Sequence, residues 1–142
     1  MRAGQATERD TQLRRVWTAL VLLIVGFLGW AVFAMLPGFD AYMAGRAFRI
    51  REAWDTTAYL VIGLPAMFIV QGVVAYTGPA KPWQAPLWLL GGHALGIALV
   101  HPANTSLGLL PLAILFVGVP LYVLFVLAAF IGHGIARSLG RA

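Results

Sequence analysis

Residues 16–36 read VWTALVLLIVGFLGWAVFAML and contain no charged side chain. These 21 residues, at about 1.5 Å of helix each, match a bilayer hydrocarbon core that is about 30 Å thick. Pro37 and Gly38 follow at once and predict the end of the span. Two arginines before the stretch resemble the basic flank of a signal peptide, but the apolar run is longer than such peptides carry. We therefore predict an uncleaved first membrane span.

The whole chain has the same apolar character. Of its 142 residues, 61% are hydrophobic and 11% are charged, whereas a soluble domain is about 45–50% apolar and about 25% charged. The sequence has no cysteine, which excludes disulfides, thiolate nucleophiles and cysteine-bound metals. The net charge of +5 is not accompanied by a basic, aromatic-interleaved surface, so we predict no nucleic-acid partner. The lipid bilayer is the predicted environment.

Three further apolar stretches predict three more crossings. They cover residues 56–76, 83–100 and 107–135. Asp55 or Thr56 can cap the second span. The last stretch contains Pro120, whose ring and missing N–H predict a kink near Phe116; it can also be read as a short piece before this proline and a longer piece after it. The predicted fold class is an all-α, four-helix transmembrane bundle that forms a single domain over residues 1–142.

Residues 40–54 predict a short interfacial helix between the first two spans. Apolar positions three and four residues apart share one face, while Arg46 and Arg49 lie to another side. Trp54 fits the level of the lipid headgroups. A simple connecting helix and a surface that recognises lipid or a partner both remain open. The other two loops are short and predict antiparallel hairpins.

Basic residues beside the spans favour both termini in the cytoplasm. Seven lie on the side of the termini and three on the other side. The first group is Arg2, Arg9, Arg14, Arg15, Lys81, Arg137 and Arg141; the second is Arg46, Arg49 and Arg51. Because Lys and Arg concentrate on the cytoplasmic side, we predict a multi-pass protein of the plasma membrane, the inner membrane of a bacterium.

Aromatic residues near the predicted span ends are typical of interfacial anchors. The inner set is Trp17, Tyr76, Trp83 and Trp88, and the outer set is Trp30, Tyr42, Trp54 and Tyr59.

His93 is the one ionisable side chain predicted deep inside a span, and Gln71 is its most polar companion. Three interpretations are open: a neutral histidine bonded to a neighbouring helix through Gln71 or a carbonyl freed by Pro120, a member of a proton or substrate path, or a ligand of haem or metal. His101 and His133 lie too far along the helices to share one haem with His93. Haem would therefore need a ligand from another chain.

No catalytic, metal or cofactor site is predicted, and an enzyme would need chemistry borrowed from a partner. The leading hypothesis is a non-catalytic accessory or scaffold subunit. It would pack against its own copies or other transmembrane subunits through the small-residue surface of Gly91, Gly92 and Gly96. The alternative is a small oligomeric transporter or channel for a neutral or lipidic solute, with His93 and Gln71 lining the path.

Overall fold

The computed structural model describes residues 2–46, 53, 56–78, 80–100, 112 and 114–140. Its helices are α1 (Arg2–Met43), a π-helix (Tyr59–Gly63) that continues into α2 (Leu64–Thr77), α3 (Ala85–Val100), and a second π-helix (Ile114–Gly118) that continues into α4 (Val119–Ser138). The regular elements of this part are all helical, which confirms the all-α prediction there. Three stretches are long and apolar enough to span a membrane, namely Glu8–Met43, Tyr59–Thr77 and Ile114–Ser138; Ala85–Leu99 is apolar but shorter.

The first helix is longer than the predicted first span. It continues through Pro37 to Met43, so the prediction that Pro37 and Gly38 end the helix is wrong. Proline is tolerated in membrane helices because neighbouring groups satisfy the freed backbone. The helix ends instead at Met43, and the chain turns away at Gly45, whose φ of 72° is a left-handed conformation that suits glycine.

The capping bonds at this end are those of a Schellman motif. The Arg46 N–H donates to the Ala41 carbonyl at 2.8 Å, and the Gly45 N–H donates to the Tyr42 carbonyl at 2.9 Å. Residues 40–43 of the predicted interfacial helix therefore belong to α1. Arg46 is exposed, whereas Arg49 and Trp54 lie outside the described residues.

Thr56 caps the second span, which confirms one of the two predicted caps. Its hydroxyl accepts a hydrogen bond from the Tyr59 N–H at 3.2 Å and donates to the Ala53 carbonyl at 2.7 Å. The following turn is π-helical, because the Leu64 N–H bonds to the carbonyl of Tyr59, five residues earlier. Pro65 comes next, and its ring and missing N–H disfavour a regular α-turn at this point.

Pro120 occupies the same position after the second π-helix. The last apolar stretch is thus a π-helical piece, Ile114–Gly118, joined at Val119 to the α-helical piece α4.

The helices form two close pairs, α1 with α3 and α2 with α4. Gly26 lies against Leu89, and Trp30 lies against Gly96, so α1 and α3 run parallel. The contacts between α1 and α2 follow the opposite order along the chain: Phe33 with Gly63, Gly29 with Met67, and Thr18 with Gly78. Therefore α2 runs antiparallel to both α1 and α3.

The last helix runs in the same direction as α3. Gly132 lies against Gly72 of α2. Gly72 lies between Met67 and Gly78, which contact Gly29 and Thr18 of α1, so it is level with the part of α1 around Gly26 that packs against the middle of α3. Ten residues earlier on α4, the Tyr122 hydroxyl donates to the Trp83 carbonyl at 3.2 Å, in the turn that precedes α3. This order differs from the antiparallel hairpin predicted for the last two spans. The four helices lie side by side and together form a helix layer, and the end of α3 and the start of α4 therefore lie at opposite ends of it. Residues 101–111, with the predicted third loop, lie outside the described part.

Each helix buries positions that recur about every four residues. They include Leu22, Gly26, Trp30 and Ala34 on α1; Tyr59, Gly63, Met67, Gln71 and Ala75 along the π-helix and α2; Ala85, Leu89 and His93 on α3; and Phe125, Ala129, Gly132 and Ala136 on α4. Residues four apart form one ridge of a helix, and small residues on it let two backbones approach closely. The outer faces carry exposed Ile24, Leu28 and Val32 on α1 and Val123 and Leu127 on α4, a surface suited to hydrocarbon.

Candidate functional site

His93 is buried in α3, and both of its ring nitrogens have hydrogen-bond partners. Nε2 lies 3.1 Å from the Tyr59 hydroxyl, and Nδ1 lies 3.2 Å from the Leu89 carbonyl oxygen. A carbonyl only accepts, so we assign the ring proton to Nδ1, and the Tyr59 hydroxyl then donates to Nε2. This arrangement describes a neutral imidazole whose hydrogen-bonding capacity is filled.

Of the three interpretations of His93, this geometry matches a neutral histidine satisfied by a neighbouring element. The partner differs from those considered in the sequence. It is Tyr59, and neither Gln71 nor a carbonyl near Pro120 bonds to the ring.

Tyr59 is held by three parts of the fold. Its backbone N–H donates to the Thr56 hydroxyl. Its ring meets Phe33 edge to face, with centroids 5.8 Å apart and planes at 78°, and it meets the His93 ring at 6.2 Å and 77°. Contacts of this kind favour one ring orientation. The pair therefore joins α1, the start of α2 and α3 at one point.

The prediction that Tyr59 and Trp30 anchor the outer interface is wrong. Tyr59 is 1% exposed and Trp30 is 0% exposed. Hydropathy reports the depth of a residue in a span and does not report which way its side chain faces. A signal was nevertheless present, because Tyr59 begins the four-residue repeat that also contains Gln71.

The predicted small-residue surface of α3 packs against α1 of the same chain. A Cβ atom on Gly92 would overlap the Leu23 carbonyl oxygen, and one on Gly96 would lie 3.2 Å from the Trp30 ring. A Cβ on Gly91 would lie 3.3 Å from the Leu23 side chain. In the structure this surface is therefore occupied from within the chain.

The glycine on the facing helix is coupled to the histidine. A Cβ atom on Gly26 would overlap the Leu89 carbonyl oxygen, the same atom that accepts the hydrogen bond from His93 Nδ1. Close approach of the α1 backbone thus depends on the missing side chain of Gly26. It also brings α1 against the carbonyl that orients the imidazole.

Gln71 lies on the buried face of α2 and is 0% exposed. Among the described residues, neither polar atom of its side chain has a hydrogen-bond partner. A buried polar group without a partner costs about 1–3 kcal/mol. His93 and Gln71, the two predicted interior polar residues, are thus both buried, but only His93 is satisfied by the described part of the chain.

Across the described residues, no three His, Asp or Glu side chains are placed to hold a metal ion together. Comparison of the chain with protein-family models, with curated proteins and with solved structures gives no match.

Proposed function

We propose that the chain is a non-catalytic integral membrane protein, an accessory or scaffold subunit that packs against other transmembrane helices. The observation that supports this most directly is the hydrogen bonding of His93: Nε2 bonds to the Tyr59 hydroxyl and Nδ1 bonds to the Leu89 carbonyl, so neither ring nitrogen is free to bind a ligand. Ionisable groups inside spans usually carry coupled transport or catalysis. The Tyr59–His93 pair, which is hydrogen-bonded within the chain, instead connects the π-helix before α2 to α3.

The contact surface predicted from the sequence is not available to a partner, because Gly91, Gly92 and Gly96 pack against α1 of the same chain. The outer face of α4 offers a replacement. Gly134 is exposed there, a Cβ built on it meets nothing within 4 Å, and Phe130 and Leu127 on the same side are 55% exposed. A small residue between large apolar ones lets another helix approach closely. We therefore place the partner helix, from a second copy or another subunit, on this face.

The test is the mass of the full chain extracted in a mild detergent, with identification of every co-purifying chain. We expect the protein mass of the particle, without its bound detergent, to exceed that of one 15.3 kDa chain. We also expect Gly134→Leu to release the partner. Ala98→Leu adds similar bulk at an exposed position of α3 and serves as the control. A single chain with no partner in the mildest detergents would contradict the proposal.

The second candidate is a small oligomeric transporter or channel for a neutral or lipidic solute, and Gln71 is the observation that favours it. A buried amide with no partner in the described part of the chain suits water or a polar solute near the middle of the bundle. The test is glycerol flux into liposomes that contain only this chain. Flux above that of empty liposomes, lowered by Gln71→Leu and unchanged by Met67→Leu on the same face, would favour the transporter.

We also propose that α3 crosses the membrane, which would give four membrane-embedded helices, and that the N-terminal end of α1 faces the cytoplasm of a bacterial inner membrane. Five described basic residues lie near that end of the layer, against two near the other. The five are Arg2, Arg9, Arg14, Arg15 and Lys81, and the two are Arg46 and Arg137. This imbalance supports a cytoplasmic N-terminal side.

We propose that the C-terminal end of α4 lies on the side opposite the cytoplasm, in contrast to the prediction from the sequence. Because α4 runs parallel to α1, Arg137 lies at the end of the layer opposite Arg15.

A further inference from the structure

A groove of about 540 Å³ lies between the N-terminal half of α1 and the turn that leads into α3. Its polar lining includes Arg15, Lys81 and Gln84. Because α1 and α3 run parallel, the two cations enter from different parts of the chain but reach the same end of the helix layer. The volume is within the usual range for small-molecule sites, about 300–1,000 Å³.

The other wall of the groove is apolar. Leu20 and Leu23 line it from α1, and Trp88 lines it from α3. Leu23 lies eight residues beyond Arg15, which is about 12 Å deeper along the helix. The groove therefore changes from cationic at the end of the span to hydrocarbon-like towards its middle.

Neither cation is neutralised within the described part of the chain, where no ion pair involves Arg15 or Lys81. Both side chains are exposed. Arg15 is also the last charged residue before the apolar run of α1, so it lies where a headgroup meets the hydrocarbon core. Two such cations beside a hydrocarbon wall are complementary to an anion that carries an acyl chain.

We propose that this groove binds an anionic phospholipid, with the phosphate at Arg15 and Lys81 and the first part of an acyl chain along Leu20, Leu23 and Trp88. Gln84 donates its amide to a headgroup oxygen. A free phosphate would leave the apolar wall uncovered, and a zwitterionic lipid would bring a cation to a site that already holds two. The site is independent of the proposed function, since it needs only an α1 that lies in a bilayer.

The test is a titration of the full chain in detergent with dioleoylphosphatidylglycerol and dioleoylphosphatidylcholine, with bound lipid counted by native mass spectrometry. We expect the anionic phosphatidylglycerol to bind more tightly than the zwitterionic phosphatidylcholine. One basic residue near a membrane surface contributes about fivefold in affinity for anionic lipid. Arg15→Gln and Lys81→Gln should therefore each weaken it by about fivefold, while Lys81→Arg should retain binding.

Arg14→Gln is the matched control, because it removes the same charge from the neighbouring exposed arginine that does not line the groove. It should change affinity by less than Arg15→Gln does. An equal loss in both variants would show a diffuse charge effect and overturn the site. Equal affinity for the two lipids, or full competition by inorganic phosphate, would overturn it as well. Circular dichroism of each variant separates these results from misfolding.

Discussion

Replacing Gly26 with alanine should separate the two helices that pack most closely. A Cβ atom at this position would overlap the carbonyl oxygen of Leu89 and approach the Cα of Gly92 at 3.2 Å. The obstacle is backbone on the facing helix, so no flexible side chain can move aside. Either α1 shifts away from α3, or the contact is lost along part of its length.

The magnitude follows from a comparison of two chemically identical substitutions. Gly118→Ala adds the same methyl group to a helical position, but its Cβ would meet only the Ile114 side chain at 3.9 Å, an ordinary van der Waals contact. The helix propensity gained on replacing glycine, up to about 1 kcal/mol, is common to both variants and cancels in the difference. What remains is the cost of overpacking, about 1–3 kcal/mol. The free energy of unfolding of Gly26→Ala should be lower than that of Gly118→Ala by this amount.

The assay is reversible unfolding of the full chain in mixed micelles, titrated with sodium dodecyl sulfate and followed by circular dichroism. The two variants and the wild type are compared at the same protein and lipid concentrations. If the unfolding free energies of Gly26→Ala and Gly118→Ala lie within about 0.5 kcal/mol of each other, the backbones of α1 and α3 are not in contact at Gly26. The parallel pairing of these helices would then be wrong.

Three further predictions follow from the interior polar groups and from the helix direction. Tyr59→Phe leaves Nε2 of His93 buried without its donor and should lower the free energy of unfolding by about 1–2 kcal/mol in the same assay, whereas Tyr42→Phe, at an exposed site, should have no effect. Gln71→Leu removes a buried amide that has no partner among the described residues and should raise stability by about 1–3 kcal/mol; a loss of stability would reveal a partner for the amide. Reporter tags fused to the two chain ends should be in opposite compartments because α4 runs parallel to α1, and two cytoplasmic tags would refute that direction.

A double variant sharpens the first of these predictions. If the Tyr59–His93 bond is the only favourable interaction lost, replacing both residues with apolar side chains of similar shape should cost less than the sum of the single changes. Additive losses in Tyr59→Phe and His93→Leu would show that the two side chains are not coupled.

The apolar helices could be predicted from the sequence because the signal is strong and local. A run of 21 uncharged residues admits few structures other than a buried or membrane helix. The Thr56 cap was equally local, since a hydroxyl side chain at the start of a helix accepts from a backbone N–H three residues later. Pro37 misled the prediction because its effect depends on what surrounds the helix, and that information is not local.

The contacts between helices could not be derived in this way. Gly91, Gly92 and Gly96 identify a surface that admits a close neighbour, but the sequence does not say which helix occupies it. Tyr59 and His93 are 34 residues apart, and only the arrangement of α2 beside α3 brings them together. Hydropathy treats a tyrosine near a span end as an anchor whether it faces lipid or protein.

The π-helix at Tyr59–Gly63 controls the rotational phase of the residues that precede α2. If these residues formed a regular α-turn with none removed, every residue before the turn would rotate by about 100° about the helix axis. The Tyr59 hydroxyl would then point away from the His93 imidazole, although the sequence would still contain both residues. The π conformation of this turn therefore determines whether three helices share a common polar junction.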